Sequence, residues 1–237
     1  MDESIHPEQE APWGALGALM GVVIAFLLLV FLTLMVESAA QVLTFDANSL
    51  GVRTAKLLAS QLALATVPIT SVFVLGGPWL WIGWRASDRR ELIRAASLGV
   101  TASAATMLYL IGLRWGFPAG FLQLVAEQNT QVEQLGGARL SLVLMALIVA
   151  PLCEELFFRS FFFAGLRQRM SFPLAAGLST ALFTLMHAMP WSSPPLFLVG
   201  LAAAWTYERK KCLLAAFTMH ATFNLCELLI SALKVLP

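Results

Sequence analysis

PLCEELFFRSFFFAG, residues 151–165, sets Glu154, Glu155 and Arg159 inside an otherwise apolar run. An ionisable group at bilayer depth costs several kcal/mol and is retained there for a task. The run extends over about 139–166, long enough to cross a hydrocarbon core of roughly 30 Å at ~1.5 Å per residue. The rest of the chain has the same character. Of its 237 residues 59% are hydrophobic and 12% charged, and the mean hydropathy is +0.78. A soluble domain carries roughly a quarter of its residues as charges. The fold class expected is all-α, a polytopic transmembrane bundle of about seven helices with a mid-membrane polar cavity in its C-terminal half. The net charge of +1 gives no reason to expect a nucleic-acid partner; the partner expected is the lipid bilayer.

Apolar runs predict helices near 14–36, 57–82, 95–113, 139–166, 172–189, 195–207 and 212–235. Segment 37–56, with Glu37, Asp46, Arg53 and Lys56, reads as a polar connection. Segment 116–137 is amphipathic, with Phe121, Leu122, Leu124 and Val125 set against Glu127, Gln128, Gln131 and Glu133, and suits the membrane surface. Residues 1–13 form a polar tail with no Lys or Arg, so the first apolar run reads as a retained helix rather than a signal peptide. Residues 14–138 then form an N-terminal membrane region and 139–237 a C-terminal core. Cations concentrate at 85–94, 167–171 and 208–211, which places those connections and the N-terminus in the cytoplasm. Trp79, Trp81, Trp84, Trp115 and Trp191 fall near helix ends, as an interfacial belt requires. Helix 195–207 is short, about 20 Å, so the preceding loop AMPWSSPP must dip into the bilayer, beside a wet cavity. Cys153, Cys212 and Cys226 sit in apolar runs without CxxC spacing and read as packing residues.

Polar groups inside the predicted helices cluster at three places: Glu154, Glu155 and Arg159; His187; and His220, Asn224 and Glu227. Glu155 and Arg159 stand at i and i+4 and share a helix face, which favours an ion pair. Glu154, about 100° around the helix, is left free. His220 and Asn224 also share a face, and Phe183 lies one turn before His187. Counted from the cytoplasmic connections, all three clusters reach mid-membrane depth. A free carboxylate, two imidazoles and an amide around one site form a hydrolytic constellation: a base for water and donors for a developing oxyanion. Glu154, His187 and His220 would equally suit Zn2+ with an open coordination position.

Glu154-Glu155-Leu-Phe-Phe-Arg159 matches EExxxR, Phe183-Thr-Leu-Met-His187 matches FxxxH, and His220-Ala-Thr-Phe-Asn224 matches HxxxN. In this order they resemble the signature of the CPBP family, the CAAX-protease and bacteriocin-processing (Abi) membrane proteins, over about residues 139–230. The resemblance implies an intramembrane endopeptidase, often labelled a metalloprotease, acting on a membrane-associated peptide or protein. It implies that Glu154 activates water, that His187 helps hold it, that His220 and Asn224 form an oxyanion hole, and that Glu155, Arg159 and Phe183 support them. The location expected is a bacterial inner (plasma) membrane. HExxH is absent, and a glutamate–water mechanism needs no zinc. The motifs of serine (GxSxG) and aspartyl (GxGD) membrane proteases are absent too. A non-catalytic scaffold or regulator of another membrane protein, or a bacteriocin self-immunity protein, would fit the same resemblance. A proton-coupled transporter would use the same buried groups, but the polar clusters occupy only one half of the chain. Glu227 stands at i+3 from Asn224, either near the site or in a structural polar contact.

Overall fold

The computed structural model describes residues 12–134 and 143–232. The N-terminal tail with His6, the 138/139 boundary and the ends of the predicted helices at 139–142 and 233–235 lie outside the described residues. The described chain is all-helical, with eight principal helices. They are α1 (Gly14–Val42), α2 (Leu50–Leu75), α3 (Arg89–Gly116), α4 (Pro118–Gln134), α5 (143–167), α6 (Phe172–Met186), α7 (Ser193–Lys210) and α8 (Leu213–Ala232). The amphipathic segment supplies the eighth helix, α4. By length and composition α1, α2, α3 and α8 can cross a membrane, and α6 is a shorter apolar helix. The chain is an integral membrane protein.

Three boundaries depart from the sequence reading. The connection expected over 37–56 shrinks to 43–49, because α1 runs on to Val42 and Ser49 opens α2 by accepting a hydrogen bond from Val52 N. Two charges assigned to that connection instead join the helices, Lys56 Nζ lying 2.6 Å from Glu37 Oε1. The helix expected over 57–82 ends at Leu75, where Gly76 adopts the left-handed conformation (φ 63°) and Pro78 follows. A separate 3-10 turn covers Trp79–Ile82. Finally, α7 has 18 residues, about 27 Å. Pro194 and Pro195 fall in its first turn, where proline's missing N–H costs nothing, and Glu208–Lys210 extend its end.

Helix α5 is the axle of the bundle and packs against α1, α2, α6, α7 and α8. It is not uniformly α-helical: Met145–Val149 and Leu156–Phe163 are π-helical, and every residue of the second segment is buried. Wider π turns shift backbone carbonyls out of the regular ladder and recur at functional sites. Here neighbouring helices supply donors. Trp13 Nε1 donates to Phe161 O at 3.0 Å, Ser179 Oγ to Phe158 O at 2.9 Å, and Asn224 Nδ2 to Ala146 O at 2.8 Å. Phe157, Phe158 and Phe161 form the main apolar core with Ala25, Leu64, Val67, Phe183 and Val199. Close approach of α1 depends on small residues: a Cβ on Gly21 would lie 2.1 Å from Phe161 Cε1. The opposite face of α1, including Phe26, Leu27 and Phe31, points outward, as a lipid-facing helix should.

Candidate active site

Glu154 and Glu155 lie at the end of the α-helical turn Ala150–Glu155, just before the longer π segment. Their side chains diverge as the helix geometry requires. Glu155 Oε2 sits 3.2 Å from Arg159 Nε, and neither side chain is exposed to solvent. Arg159 also donates from Nη2 to Gly200 O at 3.1 Å and lies over the Phe183 ring, 4.9 Å from its centroid. An isolated charge here would be costly, and a pair with further hydrogen bonds on both members is the arrangement that lowers that cost.

The other oxygen of Glu155, Oε1, is 2.8 Å from Nδ1 of His220 on α8. A carboxylate accepts only, so His220 Nδ1 carries the hydrogen and its Nε2 is turned to the other glutamate. That nitrogen lies 3.9 Å from Glu154 Oε2, beyond direct hydrogen-bond distance. Glu154 is buried but has no hydrogen-bond partner among the described residues. Two adjacent glutamates are thus in opposite conditions, one doubly engaged and the other free.

His187 caps the end of α6, half-buried, with Nδ1 2.8 Å from Phe183 O. The carbonyl requires the hydrogen on Nδ1, which leaves a lone pair on Nε2. The Phe183 ring joins the two histidines: it lies 4.6 Å from the His187 ring and meets the His220 ring edge-on at 5.8 Å. Asn224, one turn beyond His220, spends one amide hydrogen on Ala146 O and retains the other. Glu154, Glu155, Arg159, Phe183, His187, His220 and Asn224 therefore draw on three parts of the sequence and meet around α5, α6 and α8. Glu227 turns away and accepts from Ser103 Oγ of α3 at 2.7 Å, a structural contact between helices.

The zinc reading requires nitrogen and oxygen donors converging within about 2.0–2.2 Å of one point. Nδ1 of each histidine faces its own acceptor, which leaves Nε2 as the ring nitrogen open to a ligand, and no group of three His, Cys, Asp or Glu side chains suited to a metal is found among the described residues.

Two contacts around the site have no counterpart in the sequence reading. One is the bond between His220 and Glu155, whose partners are 65 positions apart. The other is the Glu127 carboxylate of α4 on the loop that follows His187, accepting from Trp191 N, Ser192 N and Ser192 Oγ, each at 3.1 Å. The only sequence signal for Glu127 was its place on the polar side of an amphipathic helix.

Residues 136–226 match the family model described as type II CAAX prenyl endopeptidase Rce1-like. UPF0177 protein YxdF of Lactococcus lactis subsp. lactis is 29% identical over 96 residues, covering 38% of this chain and 52% of that protein. The chain thus spans about half the length of that curated relative. No solved structure matches it. The segment holding Glu154, His187, His220 and Asn224 is similar to the Rce1-like type II CAAX prenyl endopeptidases, and it is set in an integral membrane protein.

Proposed function

We propose that this protein is an intramembrane endopeptidase of the CAAX-protease type that hydrolyses a peptide bond with water activated by Glu154. The observation that carries the reading is the divergence of the two glutamates. Arg159 and His220 engage Glu155, while Glu154 stays unbonded 3.9 Å from His220 Nε2. A water about 2.8 Å from each of those two atoms closes a triangle on that base. Glu154 takes a proton from the water, and the hydroxide adds to the carbonyl carbon of the scissile bond. The proton then passes to the leaving amine as the C–N bond breaks. His187 Nε2, free to accept, steers the water. His220 as imidazolium donates to the oxyanion, with Glu155 stabilising its charge as the third member of a triad does. Asn224 donates its remaining N–H to the same oxygen.

In this reading residues 139–237 form the catalytic core and 14–138 the helices around it. The site faces a membrane-associated peptide or protein, the cation pattern favours an N-terminus in the cytoplasm, and the location fitting the family resemblance is a bacterial inner membrane. The test compares membrane peptides from cells carrying wild type and Glu154→Gln. Glutamine keeps the shape but cannot take a proton, so cleavage should fall ~10²- to 10⁴-fold with insertion and melting unchanged. Full function in that variant would favour a scaffold.

A further inference from the structure

We propose that Glu127 is a positioning residue for His187, holding the loop 188–192 from the amphipathic helix α4. The inference rests on the peptidase reading for its consequence but not for its geometry. His187 ends α6, and the chain turns at once through Ala188 in the left-handed conformation (φ 51°), which a residue with a side chain adopts only when its surroundings require it. The loop then reaches α7, whose first turn leaves no N–H open: Pro194 and Pro195 have none, Ser193 N donates to Pro190 O and Leu196 N to Ser192 O. The donors that need an acceptor are those of the loop itself, and no side chain within it caps the helix. Ser192 donates through both its backbone N–H and its hydroxyl to Glu127 Oε2, while Trp191 N donates to Oε1. A carboxylate at a helix N-terminus is favoured by the helix dipole as well as by the bonds. This one comes from a helix more than 60 positions earlier.

Other contacts fix the same spot. Tyr109 Oη of α3 donates to Trp191 O at 2.9 Å, and the Phe117 and Trp191 rings lie 5.4 Å apart. Gly120 admits α4 to this place, since a Cβ there would lie 2.6 Å from Trp191 Cζ3. The five-residue loop is therefore held at both ends. One end is α6, with His187 Nδ1 on Phe183 O, and the other is the Glu127 carboxylate. Releasing the second end lets the Ala188 turn relax and the His187 ring leave the orientation that aims Nε2 at the water.

The test uses the full chain in detergent or nanodiscs with selectively 15N-labelled histidine, and compares wild type, Glu127→Ala, Glu127→Gln and Glu127→Asp. Hydrogen exchange of the 188–193 amides should quicken most in Glu127→Ala, and the His187 ring signals should shift while those of His220 stay in place. Glu127→Gln, with a single acceptor oxygen, should fall between, and Glu127→Asp should restore part of the wild-type signature. Peptides whose release depends on Glu154 should be released ~10- to 100-fold more slowly by Glu127→Ala. Faster loop exchange with unshifted His187 signals would overturn the proposal, leaving Glu127 as a cap on α7 alone. Unchanged exchange would overturn it as well. If Glu154→Gln proves fully active, the peptidase reading fails, while the exchange and ring signals still decide whether Glu127 positions His187.

Discussion

Helices α1 and α5 are both long and apolar, yet they solve different problems. In α1 only 11% of the apolar window is buried, so its hydrophobicity matches lipid and its buried residues are the small ones Ala18, Gly21, Ala25 and Ala40. In α5 every residue from Leu156 to Phe163 is buried, charged Arg159 included, and neighbouring helices supply donors to its π-turn carbonyls. Between helices in lipid the hydrophobic effect gives little drive for association; close packing and hydrogen bonds supply it. Apolar character therefore embeds α1 but says little about how tightly it is held. In α5 the polar exceptions fix both the position of the helix and its chemistry.

The comparison breaks most visibly at Arg159. Replacing it by Met leaves the Glu155 carboxylate buried without its cation, a loss of about 3–5 kcal/mol readable in detergent-denaturant unfolding. Adding Glu155→Gln to Arg159→Met should recover part of that loss. A single variant as stable as wild type would mean that Glu155 and Arg159 are not a structural pair. Gly21→Val tests the seam between the helices. Its side chain would enter the space of the Phe161 ring, and overpacking of that kind costs about 1–3 kcal/mol. Phe26→Ala, on the outward face of α1, should change stability by less than about 0.5 kcal/mol in the same unfolding assay. A large loss there would show that the face is covered by protein rather than by lipid.

The sequence disclosed the membrane bundle readily, because hydropathy and helix length are local properties. The divergence of Glu154 and Glu155 was also legible, since it follows from the angle between adjacent helical residues. Boundaries were less so. Glu37 and Lys56 suggested a polar connection, but the charges pair across two helices that both run longer. Pro194 and Pro195 suggested a loop but occupy the first turn of α7. The π turns of α5 depend on donors from Trp13, Ser179 and Asn224, which only tertiary packing brings near. The bond from His220 to Glu155 and the reach of Glu127 to Ser192 are long-range in the same way. No spacing rule within one helix reveals them.

The central claim is that one of two adjacent glutamates carries chemistry while the other holds the structure. The most direct measurement sets Glu154→Gln beside Glu155→Gln, following both unfolding and the release of membrane peptides. The account predicts that Glu154→Gln melts like wild type and releases the wild-type cleavage products ~10²- to 10⁴-fold more slowly, whereas Glu155→Gln is clearly destabilised. Wild-type product release by Glu154→Gln would contradict it.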